Sequence, residues 1–186
     1  MGSVYGGSLG LSRGGTGVVH TAGGTFNTSS QLNVGEASDN NVQNGFAVFT
    51  VDGDAQVRIN GNINLADRTN MLAIANFNGG TASASMIAKS TSRTGAVAYV
   101  NFDGGTILMR QNGKIFNTGT GAPDAVHVYA GGAVFDTTNL AGTIDVPLRA
   151  PPGSGVAGIA VTPRGGYIGP PMVTIAGGGG TGATAI

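Results

Sequence analysis

Apolar and polar residues alternate along much of the chain, and each alternating run ends at glycine. The first glycines of the five runs are Gly23, Gly53, Gly79, Gly104 and Gly131. They are 30, 26, 25 and 27 residues apart. Strict alternation predicts β-strands with one buried face, and a quasi-period of this length is typical of repeat architectures. The pattern therefore predicts a single-stranded β-solenoid in which each repeat forms one coil, as a parallel β-helix of right-handed sense.

Alignment of the repeats on the first glycine predicts which side chains face the core. Residues two apart on a strand share a face, so the positions two and four before the glycine should both point inward. In the fourth and fifth repeats this rule places His127 inward, above Val100. The predicted core stack, two positions before the glycine, is Val51, Phe77, Phe102 and Tyr129. The residues directly before the glycine should face outward, and they are Ala22, Asp52, Asn78, Asp103 and Ala130.

The composition supports an all-β fold. Among 186 residues there are 35 glycines, no cysteine and no tryptophan, and only 10% of the residues are charged, against about 25% in typical domains. The polar positions hold Asn, Thr, Ser and Gly, which favour turns over helix interiors. Because 40% of the chain is hydrophobic, the composition does not match that of disordered proteins.

Proline and glycine divide the chain into four predicted segments. Residues 1–18 are a glycine- and serine-rich entry segment, and residues 19–148 are the solenoid of about five coils. Residues 149–158 contain adjacent prolines, which a central strand does not tolerate, and are predicted to be a linker. Residues 159–186 are predicted to be a small, hairpin-like glycine-rich module that is truncated. We expect the chain to be a fragment of a longer protein.

Charge and cysteine content exclude several classes of function. Nine basic and nine acidic residues give a formal net charge of zero, and no basic cluster is present to bind the phosphates of a nucleic acid. No stretch approaches the roughly 18 apolar residues of a membrane span. The absence of cysteine excludes disulfides and thiolate metal sites. No cofactor is predicted.

The outward acidic residues give two alternative predictions about chemistry. Carboxylates of Asp52 and Asp103, two coils apart, would lie about 9.6 Å from each other if the coils stack at about 4.8 Å. Inverting glycosidases use separations of about 6.5–9.5 Å, so these residues are candidate catalytic acids. Asp52 and Asp54 are a candidate calcium site, provided that neighbouring coils add carboxylates. The preferred interpretation is structural, because Asp and Asn beside glycine bond their own backbone at turns.

Two segments carry a resemblance to known families. Residues 100–106 (VNFDGGT) and 128–137 (VYAGGAVFDT) resemble the autotransporter-associated β-strand repeat proteins, which are large bacterial surface or secreted proteins. Residues 161–185 are similar to a short glycine-rich module found in such proteins and in phage fibres. The resemblance implies a right-handed β-helix passenger with an extracellular location, and it implies no catalytic residues.

We therefore expect a non-catalytic structural or adhesive segment of a secreted or surface-displayed bacterial protein, such as a scaffold, stalk or adhesin passenger. Its expected partners are glycans or a host or cell surface, and further copies of itself, since open solenoid ends present unpaired strand edges. One alternative is a carbohydrate-active or glycan-binding β-helix, either an inverting-type hydrolase or a tailspike-like depolymerase. The other is a phage fibre segment in which three chains intertwine.

Overall fold

The computed structural model describes residues 9–11, 16–35, 44–91 and 93–152, with residues 9–11 as backbone only. The chain divides into two compact units, Met1–Ala150 and Pro151–Ile186. The predicted module of residues 159–186 lies outside the described residues, as does most of the predicted entry segment. The fold described below is that of the first unit.

The described residues form seventeen β-strands and one turn of 3-10 helix, Gly119–Gly121. In chain order the strands are β1 (Leu9–Leu11), β2 (Thr16–Thr21), β3 (Thr25–Thr28), β4 (Leu32–Val34), β5 (Gly45–Val51), β6 (Gln56–Ile59), β7 (Ile63–Leu65), β8 (Met71–Phe77), β9 (Thr81–Ala84), β10 (Ile87–Lys89), β11 (Val97–Phe102), β12 (Thr106–Met109), β13 (Gly113–Lys114), β14 (Ala125–Val128), β15 (Val134–Asp136), β16 (Gly142–Thr143) and β17 (Leu148–Arg149).

These strands form parallel sheets that run along the length of the unit. The first sheet has the order β17-β14-β11-β8-β5-β2, the second β15-β12-β9-β6-β3, and the third β1-β4-β7-β10, while β13 and β16 form a two-stranded sheet. Consecutive strands of the chain lie in different sheets, and neighbours within each sheet come from successive repeats. The chain therefore winds as a β-solenoid of about five coils, which confirms the predicted fold class. Its handedness stays a prediction.

Phenylalanines of successive coils form the centre of the core. Val51 pairs with Phe77 and Phe77 with Phe102 in the first sheet, and all three side chains are fully buried. The rings of Phe77 and Phe102 stack with centroids 5.1 Å apart and an interplanar angle of 23°. Phe135, from the second sheet, meets Phe102 edge-on at 5.2 Å. The predicted stack is thus correct for its first three members.

The predicted place of Tyr129 in this stack is wrong, because Val128 pairs with Phe102. Three residues, 103–105, separate the first and second sheets in the fourth coil, whereas five residues, 129–133, do so in the fifth. Gly131 therefore comes one position later relative to its strand, and alignment on glycine shifts the fifth coil by one residue. For the same reason His127 pairs with Asn101 and faces outward, not inward above Val100.

Glycines at the corner between the first and second sheets allow neighbouring coils to approach closely. Gly80 has a φ of +59°, and a Cβ atom there would collide with the carbonyl oxygen of Ala55 in the preceding coil. At Gly105 a Cβ atom would lie 2.6 Å from the carbonyl oxygen of Phe77. Any larger residue would push the coils apart at these points. The regular spacing of glycine thus reflects backbone contact between coils as well as turn geometry.

Alanine substitution should separate these two roles of glycine. Gly24 has a φ of +71°, but a methyl group at this position would have nothing within 4 Å, so Gly24→Ala should lower the free energy of unfolding by about 1–2 kcal/mol through backbone strain alone. Gly80→Ala adds overpacking, which should cost about 1–3 kcal/mol more. Urea unfolding followed by circular dichroism measures both values. Equal losses in the two variants would contradict the close-approach explanation.

Candidate functional site

The candidate acidic residues lie at the corner between the first and second sheets, in successive coils. Asp52, Asn78 and Asp103 directly follow the paired residues Val51, Phe77 and Phe102, and we call these three the corner column. Their backbone amides donate to the preceding coil at 2.8, 2.9 and 2.9 Å. The equivalent positions of Asp52, Asn78 and Asp103 were therefore predicted correctly, although the side-chain oxygen of Asn78 is buried. In the fifth coil Tyr129 occupies the place predicted for Ala130, since its amide donates to the Phe102 carbonyl at 2.8 Å.

The carboxylates of the corner column accept hydrogen bonds from backbone amides. The Gly53 N–H donates to Asp52 Oδ1 at 2.7 Å, and the Gly131 N–H donates to Asp103 Oδ1 at 2.6 Å across the coil boundary. His20 Nε2 lies 3.3 Å from Asp52 Oδ2. One oxygen of each candidate acid is thus bound to a corner glycine, which is how an Asp residue stabilises a turn.

The predicted calcium site gains no further ligand in the described part of the chain. Asp54 lies in the same corner as Asp52. A Cβ atom built at Gly23, in the preceding coil, would lie 2.9 Å from Asp54 Oδ1. Among the residues that the structure describes, no group of three or more His, Cys, Asp or Glu side chains is arranged to hold a metal ion. Calcium prefers six to eight oxygen ligands, so a cation here would need most of them from water.

A second row of polar residues, which the repeat alignment did not predict, lies beside the corner column. Thr50, Asn76, Asn101 and His127 occupy one register position of the first sheet, and we call them the polar ladder. Asn76 Nδ2 donates to Thr50 Oγ1 at 3.2 Å, and Asn101 Nδ2 donates to Asn76 Oδ1 at 2.8 Å. Thr50, Asn76 and Asn101 are only 4, 1 and 2% exposed. The ladder is thus a buried chain of side-chain bonds running from coil to coil.

His127 ends the polar ladder in its neutral form. Because Asn101 Nδ2 donates to Asn76, Asn101 Oδ1 is the atom that accepts from His127 Nδ1, at 3.2 Å. This contact places the imidazole proton on Nδ1. Burial lowers the pKa of His127, and the charge of Arg149, its register neighbour on β17, lowers this pKa further. The ladder therefore consists of neutral groups.

Carboxylates at the corner before the first sheet also connect coils. Asp124 Oδ1 accepts from Lys89 Nζ at 2.7 Å, and its Oδ2 accepts from the Ala98 N–H at 2.8 Å, so one side chain connects the end of β10 and the start of β11 to the coil that follows. Asp67 Oδ1 accepts from Ser90 Oγ at 2.8 Å and lies 3.3 Å from Arg93 Nε. The acids at this corner have the same connecting role as those of the corner column.

The hydrogen bonds of the described polar residues join neighbouring coils. The amides of the polar ladder are neutral and bonded to one another, while Asp52 and Asp103 are bonded to glycine amides. A signal for the ladder was present in the sequence: Thr50, Asn76 and Asn101 each stand three positions before the first glycine. The ladder was missed because the prediction of polar function was confined to the residues adjoining the glycine.

Comparison of the chain with protein-family models, with curated proteins and with solved structures gave no match. The resemblance to autotransporter repeat proteins is therefore carried by sequence features alone and stays a prediction. No helix among the described residues is long and apolar enough to cross a membrane.

Removal of Asn76 should show how much the polar ladder contributes to stability. Asn76→Ala leaves the Asn101 amide and the Thr50 hydroxyl without their partner in a buried position, which should lower the free energy of unfolding by about 1–3 kcal/mol. Asn27, a half-buried residue on β3, provides the control. Asn27→Ala should change the free energy of unfolding by less than about 0.5 kcal/mol. Urea unfolding measures both. A neutral Asn76→Ala would contradict the role assigned to the ladder.

Proposed function

We propose that this chain is a non-catalytic structural segment of a secreted or surface-displayed bacterial protein, in which the solenoid acts as a scaffold or stalk that spaces or displays other parts. Adhesion to glycans or to a cell surface is the binding role that fits such a segment.

The hydrogen bonds that the acidic residues accept support this proposal most directly. Asp103 accepts the Gly131 amide, Asp52 accepts the Gly53 amide, and Asp124 joins Lys89 to the Ala98 amide. A general acid or base has to direct a free oxygen at a substrate. In this chain Asp103 and Asp124 bond backbone amides of neighbouring coils, and Asp52 bonds the amide of its own turn, which is the use of carboxylates expected in a scaffold.

The packing along the solenoid supports the same proposal. Neighbouring coils are joined by backbone pairing in parallel sheets, by stacked phenylalanines and by the buried polar ladder. Each coil contacts mainly its neighbours, so the architecture extends in one dimension. Such a solenoid can bear mechanical load or hold other parts of the protein at a fixed distance without a reactive pocket. The extracellular location rests on the family resemblance of residues 100–106 and 128–137.

Substitution of Asp103 separates the structural proposal from the enzymatic alternative. Asp103→Asn keeps an oxygen that accepts from the Gly131 amide, so the free energy of unfolding should change by less than about 0.5 kcal/mol. Asp103→Ala removes the acceptor and should lower it by about 1 kcal/mol. Urea unfolding of the two variants measures this difference.

The same proteins are then assayed for release of reducing ends from a panel of bacterial and host polysaccharides. The proposal expects no release by the unsubstituted chain. Release by the unsubstituted chain that is lost in both Asp103→Asn and Asp52→Asn would contradict it and establish the inverting-type hydrolase, because the amide preserves the turn but cannot transfer a proton.

A further inference from the structure

The last strand of the first sheet, β17, is held by few contacts. Among the described strands it pairs with β14 alone, through two register pairs, Val126 with Leu148 and His127 with Arg149. The inner strands β5 and β8 share seven such pairs. Leu148 is 43% exposed, whereas its partner Val126 is 1% exposed. A small change in free energy is therefore enough to alter the fraction of molecules in which β17 is paired.

The outward side of this pairing places a cation beside the end of the polar ladder. His127 and Arg149 are register neighbours, and adjacent strands lie about 4.8 Å apart, so the two side chains are close on the same surface. In the part of the chain that the structure describes, no carboxylate lies within ion-pair distance of Arg149. The guanidinium charge next to His127 is therefore not offset by a partner.

The other groups that face His127 supply no negative charge. On β11 they are the phenol of Tyr99, whose ring centroid is 6.2 Å from that of the imidazole, and the amide of Asn101. Two carboxylates lie at the corners beside these strands, and both are bound: Asp124 to groups of β10 and β11, and Asp103 to a glycine amide. A proton on His127 would therefore add a second positive charge with no carboxylate of β11 or β17 to offset it.

We propose that β17 is an acid-released strand: protonation of His127 places two cations in register and detaches Leu148 and Arg149 from β14. Like charges directly opposite each other on adjacent strands are destabilising. The neutral imidazole keeps β17 paired, because it does not repel the guanidinium and still donates to Asn101 Oδ1 at 3.2 Å.

The pH range of the release follows from the pKa of His127. Burial lowers this pKa, and the charge of Arg149 lowers it further, so the paired state favours the neutral imidazole. Such a group contributes its full stability above its ordinary pKa, and this contribution is lost as the pH falls through the lowered value. β17 should therefore be paired at neutral pH and released in mild acid, below the ordinary histidine pKa of about 6.5.

The release should not extend back beyond Asp145. Lys114 Nζ lies 2.9 Å from Asp145 Oδ2, β16 pairs with β13, and Val146 packs against the core. This part of the last coil is thus anchored independently of β17. The second compact unit begins at Pro151, so acid would convert residues 147–150 from a paired strand into part of the connection that leads to it.

Amide exchange of the full 186-residue chain, followed by NMR, tests the proposal. The rates are expressed as protection factors, which remove the intrinsic pH dependence of exchange. Between about pH 7.5 and about pH 4.5, a range that spans the ordinary titration of histidine, protection of the amides that join β14 and β17 should fall about threefold, the size expected for a like-charged cross-strand pair. Protection of β8 should stay nearly constant.

Three variants assign the fall to the two charges. His127→Asn and Arg149→Gln should each abolish most of it, since each removes one charge and keeps a polar side chain. Arg58→Gln is the matched control, because Arg58 is an exposed cation on β6 of the second sheet, and it should retain the full effect. Circular dichroism checks that all three variants keep the fold.

Four outcomes would each overturn the proposal. They are constant protection of β17 in the unsubstituted chain, an undiminished fall in His127→Asn or in Arg149→Gln, loss of the fall in Arg58→Gln, and an equal fall in β8 and β17. The third would show that overall charge controls the pairing, and the fourth that acid unfolds the whole unit.

Discussion

The structure depends on in-register parallel pairing between successive coils. A coil of this length with short strands does not bury a core by itself, so its side chains are covered only when the next coil lies directly above it. Pairing of Val51 with Phe77 and of Phe77 with Phe102 brings like residues together, and the phenylalanine rings stack as a result. The close backbone approach at Gly80 and Gly105 and the bonds of the polar ladder are consequences of the same register.

The sequence was sufficient to predict the solenoid, because alternation and glycine spacing both report on one coil at a time. It also placed Val51, Phe77 and Phe102 in the core. It was insufficient where a corner changed length: the two extra residues before β15 shifted the alignment, so Tyr129 and His127 were placed one position away from where they lie. Glycine is a reliable marker of a corner only while all corners contain the same number of residues.

The candidate site illustrates a second limit. Sequence spacing showed that Asp52 and Asp103 share a column, but it could not show which atoms their carboxylates bind, since that depends on the turn conformation of Gly53 and Gly131. In the structure one oxygen of each acid accepts a glycine amide.

Native-state hydrogen exchange measured strand by strand tests the central claim most directly, namely that each coil is stabilised by its neighbours. If it is, amides of β8 and β11, which have paired coils on both sides, should exchange most slowly, and protection should fall through β14 to β17. Asn76→Ala should then reduce protection in the coils on either side of β8 as well as in β8 itself. Protection that is equal in β8 and β17, or a loss confined to β8, would contradict the account.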